Sequence, residues 1–243
     1  MNRRHFIQTL FAAPLLTQSI LGSTKTHSSS ELHLISEQPH RILPELLEEL
    51  KKYGHHTGNT FAFSNSSPYE KQMIQSLQKK SWTFSPVQTN SSLLLTFRSL
   101  RHKTQPSFTL ARKENVWDIR SQKLYSLWKE INQKHAVSST LTIASFRGIH
   151  QKLTGKAVSV FHQGQKIDSL ALDQNITKSY QGTAGNIILT VNNGNAWIKE
   201  STCRHQICRL TPPVSLAGER IICAPNRFLA EVDRTRHVDT SIG

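Results

Sequence analysis

The chain has 243 residues, a formal net charge of +14 at pH 7 and only three cysteines. This length suits one large or two small domains. The basic residues are dispersed, and no helix-turn-helix, zinc-finger or ribonucleoprotein motif is present. We therefore expect a basic, solvated surface rather than a dedicated nucleic-acid site.

The first residues predict an export signal. Arg3 and Arg4 are followed by Phe6 and then by an apolar stretch, residues 9–21, that is too short to span a bilayer and ends in small residues. This start resembles the twin-arginine pattern, and an ordinary secretory signal or an uncleaved anchor is the alternative. The prediction is a signal peptide over residues 1–22 and a mature protein that is periplasmic or otherwise extracytoplasmic, with no transmembrane span.

The next segments predict a leader and an α+β domain. Residues 23–39 are rich in Ser, Thr and His and lack an apolar period, which indicates a flexible leader. Residues 40–148 predict an α+β domain that contains no glycine-rich phosphate loop and no nucleophile elbow. Its predicted elements are a helix over 44–53, a strand over 61–63, a helix over 67–80 with a capped start, an antiparallel pair over 92–100 and 107–113, a helix around 124–131 and a strand over 140–146. We assign its three tryptophans, Trp82, Trp117 and Trp128, to core packing rather than to a ligand site.

Residues 149–236 predict an all-β domain, and 237–243 predict a tail. The Asn193-Gly194 pair between two apolar runs is a strong hairpin signal, because both positions tolerate positive φ. Short strands at this spacing are typical of a small β-sandwich or barrel. The predicted strands cover 157–161, 166–170, 186–191, 196–199, 219–223 and 228–232.

All three cysteines lie in this second region. Cys203 and Cys208 form one group, and Cys223 is followed closely by Pro225, Asn226 and Arg227. This arrangement resembles NusG domain II in its stand-alone, exported form, where a Ser-Cys-Pro-x-x-Ile-Cys stretch precedes a Val-Cys-x-Pro-Asn-Arg stretch. The resemblance covers about residues 150–235 and departs from the family at position 204, an arginine where the family has proline. The resemblance implies a small β-sandwich or barrel, and it implies no particular biochemical activity.

Three interpretations of the cysteine cluster remain open. The first and favoured one is a stabilising disulfide that leaves one thiol free, because the predicted compartment is oxidising. In the second, Cys203, His205, Cys208 and Cys223 bind zinc or copper(I). In the third, the spacing imitates the paired loops of a Rieske iron-sulfur cluster, with Asn226 in the place of the second histidine.

The predicted function is therefore an exported, non-enzymatic binding or redox-accessory module of the cell envelope, with no cofactor. Its expected partner is an envelope protein or an anionic surface. The alternatives are a metal or iron-sulfur electron-transfer protein and, as the resemblance implies, a basic domain that contacts nucleic acid. The export signal argues against nucleic acid. An enzyme is not favoured, because no carboxylate or second histidine accompanies the cysteines in the sequence.

Overall fold

The computed structural model describes residues 30–53, 58–88, 91–119, 123–133, 137–146, 154–204 and 206–233. A seven-stranded sheet carries helices on one face, and a small β-sandwich packs against its other face. The predicted fold class, an α+β domain followed by an all-β domain, is confirmed. Within the described ranges, no helix is both long enough and apolar enough to cross a membrane.

The described residues of the first domain, which spans 30–146, form seven strands and three helices. In chain order these are β1 (Ser30–Ile35), α1 (Pro39–Lys52), β2 (Thr60–Phe63), α2 (Glu70–Gln78), β3 (Thr83–Phe84), β4 (Leu93–Thr104), β5 (Ser107–Arg112), β6 (Asn115–Val116), α3 (Lys123–Gln133) and β7 (Ser138–Phe146). The strand order in the sheet is β3-β2-β4-β7-β1-β5-β6. Strand β2 is parallel to β3 and β4, and the remaining pairs are antiparallel.

Strand β1 is an internal strand of this sheet and lies between β5 and β7. All six of its residues are buried, so the flexible leader predicted over residues 23–39 is corrected for this stretch. Leu32 and Leu34 pack into the core under the helices, whereas Glu31 and His33 are buried polar residues. Sequence analysis did not predict this strand, because polar residues alternate with its leucines. These polar residues face the second domain instead of water.

Strands β4 and β5 are not partners, so the antiparallel pair predicted for them is wrong. Strand β4 pairs with β7, and β5 pairs with β1, which places two strands between the predicted partners. The two inserted strands come from opposite ends of the domain. Local sequence therefore carries no sign of this arrangement.

The helices follow the predicted apolar faces. In α1, Leu43, Leu46, Leu47 and Leu50 are buried, and the helix begins at Pro39, five residues before the predicted start. Helix α2 begins at Glu70, whose carboxylate accepts a hydrogen bond from the backbone N–H of a serine, Ser67, three residues earlier. This contact satisfies a backbone donor at the start of the helix, as in a capping box.

The second domain, residues 154–233, is a β-sandwich with one short helix. Its elements are β8 (Ala157–His162), β9 (Gln165–Ala171), β10 (Ile176–Gly182), β11 (Gly185–Asn192), β12 (Asn195–Ser201), α4 (Ile207–Leu210), β13 (Arg220–Cys223) and β14 (Phe228–Val232). One sheet has the order β10-β11-β12, and the other has the order β13-β14-β8-β9. Asn193 and Gly194 have φ angles of 49° and 73°, which confirms the predicted hairpin turn.

The interface between the domains combines apolar and charged contacts. Ile207 and Leu210 of α4 pack against the sheet of the first domain, and Ile222 and Leu229 join a further cluster there. Arg220 is 5% exposed. Interdomain ion pairs include Arg98 with Glu219 at 3.2 Å and Arg220 with Glu31 at 3.7 Å. The sandwich therefore replaces solvent over the face of the sheet that the helices leave uncovered.

Candidate thiol site between the two domains

The structure brings the three cysteines together at the end of the sandwich nearest the first domain. Cys203 follows β12, Cys208 lies in α4, and Cys223 ends β13. Each cysteine is at most 3% exposed. Their sulfur atoms all lie within 4.8 Å of one another, and all three thiols are free.

Two tight turns produce this arrangement. Gln206 has a φ of 49°, and its N–H donates to the carbonyl of Cys203, which turns the chain back so that Cys208 meets Cys203. Arg227 has a φ of 47°, and its N–H donates to the carbonyl of Ala224. The second turn places Asn226 beside the sulfur of Cys223.

Side-chain donors contact two of the sulfurs. The hydroxyl of Ser201 donates to Cys203 Sγ at 3.2 Å, and Asn226 Nδ2 donates to Cys223 Sγ at 3.3 Å. Asn226 is fully buried, and its Oδ1 accepts a hydrogen bond from the N–H of Ala184 at 2.8 Å. Both ends of this amide are occupied, so Asn226 acts as a hydrogen-bonding residue at the cluster.

A close approach explains the glycine at the end of β10. A Cβ atom at Gly182 would lie 2.5 Å from Asn226 Oδ1, which is shorter than atoms in van der Waals contact tolerate. Gly182 therefore gives the Asn226 side chain the space in which it reaches both Ala184 and Cys223.

The thiols share their protons unequally. The pKa of Cys203 is lowered, because Cys208 and Cys223 donate hydrogen bonds to its sulfur, with further stabilisation from Ser201 and the backbone of Gln206. The pKa values of Cys208 and Cys223 are raised, foremost because each thiol keeps the proton that it donates to Cys203. The cluster therefore favours one thiolate held by two thiols.

A cavity of about 370 Å³ lies beside the cysteines, and both domains line it. The second domain contributes the three cysteines, and the first domain contributes Trp117, Tyr125 and Trp128. Tyr125 and Trp128 are stacked at a centroid distance of 6.1 Å, and Trp128 Nε1 donates to Ser107 Oγ at 3.0 Å. The first domain thus lines the cavity with aromatic rings, and the stacking and the hydrogen bond to Ser107 orient the ring of Trp128.

The tryptophans differ from the predicted assignment in part. Trp82 is 4% exposed and belongs to the core, as predicted. Trp117 and Trp128 are only half-buried, and they pack on the core while also lining the cavity. Sequence spacing identifies their helix or strand but not the surface that a second domain places beside them.

The remaining candidate residues are distributed as follows. Pro225 and Arg227 of the family motif are exposed, line the cavity and flank the buried Asn226. Arg227 lies 3.5 Å from Asp118 of the first domain. His205, proposed as a fourth ligand, lies outside the described residues, as do Arg3, Arg4 and Phe6 of the export signal.

The family model described as NusG domain II matches residues 136–236, which confirms the predicted resemblance. Three solved structures are similar to part of the chain. A DUF1312 family protein from Ruminococcus gnavus is 28% identical, with a TM-score of 0.30, over 32% of this chain and 97% of that one. A DUF1312 family protein from Enterococcus faecalis is 19% identical, with a TM-score of 0.31, and has the same coverage. The Lin0431 protein from Listeria innocua is 21% identical, with a TM-score of 0.31, over 33% of this chain and 97% of that one. No curated protein matches the chain.

Proposed function

We propose that this protein is a non-enzymatic binding module of the cell envelope, and that its ligand is one soft metal ion, foremost copper(I). Cys203, Cys208 and Cys223 are the ligands. The observation that carries the proposal is the meeting of three buried sulfurs, all within 4.8 Å of one another. Thiolates favour copper(I) and zinc over hard cations.

The distances suit an ion at the centre of the cluster. A metal–sulfur bond is about 2.3 Å long, so a trigonal ion requires sulfurs about 4 Å apart. Small side-chain movements reach this separation from the spacing in the structure. The donors from Ser201 and Asn226 support the same proposal, because hydrogen bonds to ligating atoms orient them and tune the metal.

The other predicted chemistries receive less support. A disulfide requires sulfurs about 2.05 Å apart, whereas all three thiols are free in the structure. A Rieske-type cluster requires a ligand at Asn226, whose amide is already engaged at both ends. Among the described residues, the side chains that hydrogen-bond the cysteine sulfurs include no carboxylate or imidazole base, which supports a binding role over nucleophilic catalysis.

The cell-envelope location is part of the proposal and is supported by the sequence. Arg3, Arg4 and Phe6 precede an apolar stretch of signal-peptide length. A net charge of +14 favours contact with anionic envelope surfaces or acidic partner proteins. A folded thiol cluster would be exported intact by the twin-arginine route.

The test is an anaerobic copper(I) titration of the full chain against a chromogenic chelator, with metal content and free thiols counted on the same sample. We expect one copper per chain. Replacement of any one cysteine by serine should weaken binding by more than about tenfold, since each ligand and its support contribute at least that much. Arg204→Ala is the matched control, because Arg204 is exposed, adjoins Cys203 and brings no thiol.

Either of two results would overturn the metal proposal. Protein isolated from the periplasm that contains one disulfide, one free thiol and no metal, and that still binds no copper(I) after reduction, would restore the disulfide interpretation. Equal copper(I) binding by wild type and all three serine variants would place the metal elsewhere and would be equally decisive.

A further inference from the structure

The cavity beside the thiols is larger than the proposed metal requires. An ion held between three sulfurs occupies little of a volume of about 370 Å³. This volume lies at the lower end of the range for small-ligand sites, roughly 300–1,000 Å³. The space therefore suits a single side chain or a small molecule, and it lies directly against the three cysteines.

The described lining residues include the three cysteines but offer no histidine or methionine as a fourth ligand for the ion. Met73 is fully buried in the core of the first domain. Three protein ligands suffice for a trigonal ion, and they leave one position for an external group when the ion becomes four-coordinate.

The first domain determines which external group suits this position. Its contribution includes Trp117, Tyr125, Trp128 and Phe108, which are aromatic, together with Leu110, Val116 and Ile119. The charged residues of the lining, Asp118 and Arg227, pair with each other at 3.5 Å. A charged donor placed against the apolar part of the wall would therefore lose its hydration without compensation. A neutral sulfur group makes favourable contacts with aromatic rings at about 5 Å.

We propose that the cavity receives a methionine side chain from a partner protein, and that its thioether supplies a fourth sulfur to the metal. Thioethers are soft ligands that select copper(I), so the donor matches the proposed ion as well as the wall. The inference rests on the proposed metal site. It makes the chain a docking point at which copper(I) passes between this protein and a methionine-bearing partner.

The test uses the anaerobic, copper(I)-loaded full chain and two tripeptides blocked at both ends. One has a central methionine, and the other has norleucine, in which a methylene replaces the sulfur. The methionine peptide should tighten copper(I) binding by about fivefold or more, which is the low end of the usual coupling between two ligands. The norleucine peptide should not. X-ray absorption of the ternary complex should show four sulfur neighbours.

A variant that narrows the cavity provides a second measurement. Thr183 is exposed and lines the cavity, so Thr183→Trp should abolish the effect of the methionine peptide while copper(I) binding without peptide persists. Ser179→Trp is the matched control, because Ser179 is exposed on β10, the strand that ends just before Thr183, and does not line the cavity. The control should respond to the peptide as wild type does.

The outcomes separate this inference from the proposed function. Copper(I) bound by the three cysteines, with no difference between the peptides, overturns the inference and leaves the metal site intact. A fourth, nitrogen neighbour that disappears in His205→Ala also overturns it, because the chain would then complete its own coordination. Absence of copper(I) binding to wild type removes both proposals.

Discussion

The two domains of this protein are specified in different ways. In the second domain each strand from β8 to β12 pairs with a strand adjacent in sequence or joins one through a short turn. In the first domain the internal strands β1 and β7 pair across more than a hundred residues. Long-range pairing must be complete before it stabilises the chain, whereas hairpins form from local sequence. Among the described strands of the second domain, only β8 and β14 pair across a comparable distance. The first domain therefore depends more on long-range pairing, and the second depends more on local hairpins.

Deletion of β1, residues 30–35, tests whether the first domain depends on long-range strand pairing. Its removal leaves β5 and β7 without their shared partner and empties the positions of Leu32 and Leu34, both fully buried. We expect the first domain to lose its whole stability, about 5 kcal/mol or more. The second domain should keep a cooperative thermal transition in circular dichroism.

The control for this deletion is a chain that begins at Ser30 and retains the strand. It should melt as the full chain does. An unchanged tryptophan-fluorescence transition in the deleted chain would contradict the central role of β1, because Trp82, Trp117 and Trp128 all lie in the first domain.

A pair of matched substitutions, one in the core of each domain, perturbs the two domains separately. Phe61 and Phe228 are both fully buried, one in each domain. Each replacement by alanine should cost about 3–5 kcal/mol through lost burial and a cavity. Tryptophan fluorescence reports mainly on the first domain, and reactivity of the cysteines with a thiol reagent reports on the second.

If the two domains differ as described, Phe61→Ala should shift the fluorescence transition more, and Phe228→Ala should expose the thiols first. Coincident transitions by both probes in both variants would show a single cooperative unit, and the interface rather than the separate cores would then dominate stability.

The stability of the second domain should also depend weakly on pH, through the carboxylate of Asp168. Asp168 accepts hydrogen bonds from the Tyr180 hydroxyl at 2.7 Å and from Lys178 Nζ at 2.9 Å, which lower the pKa of its carboxyl from the ordinary value of 3.8. A lowered pKa in the folded state gives stability that is present above the ordinary value and is lost as the pH falls through the lowered one.

Asp168→Asn should therefore lower the free energy of unfolding by about 1 kcal/mol at neutral pH, with a smaller difference in acid. Urea unfolding at neutral pH and below the ordinary carboxyl pKa measures both. Asp173→Asn, in the exposed turn after β9, is the control. A loss of equal size at both pH values would show that the charge of Asp168 is not responsible.

Elements of the second domain that form from local sequence were predicted well. Strand β14 has the predicted bounds, Phe228 to Val232, and the Asn193-Gly194 turn has the predicted conformation. Strand β10 was missed, because most of its residues are polar and exposed. The family resemblance was visible in the cysteines and in the residues after Cys223.

The surroundings of the cysteines were not predictable in the same way. The meeting of Ser201 and Asn226 with the sulfurs depends on two turns and on the space above Gly182. The aromatic wall depends on how the sandwich sits on the sheet, and no local pattern encodes a contact between two domains.

The cavity between the domains has a consequence for how such proteins diversify. Its thiols are carried by the segment that matches the family, residues 136–236, whereas Trp117, Tyr125 and Trp128 precede that segment. Recombination that exchanged the residues before this segment would leave the three cysteines unchanged and would replace the aromatic residues beside them. The cysteines and the aromatic wall can thus be inherited separately. Under the proposed function, a homologue that shares every cysteine would bind a different partner if its wall differed.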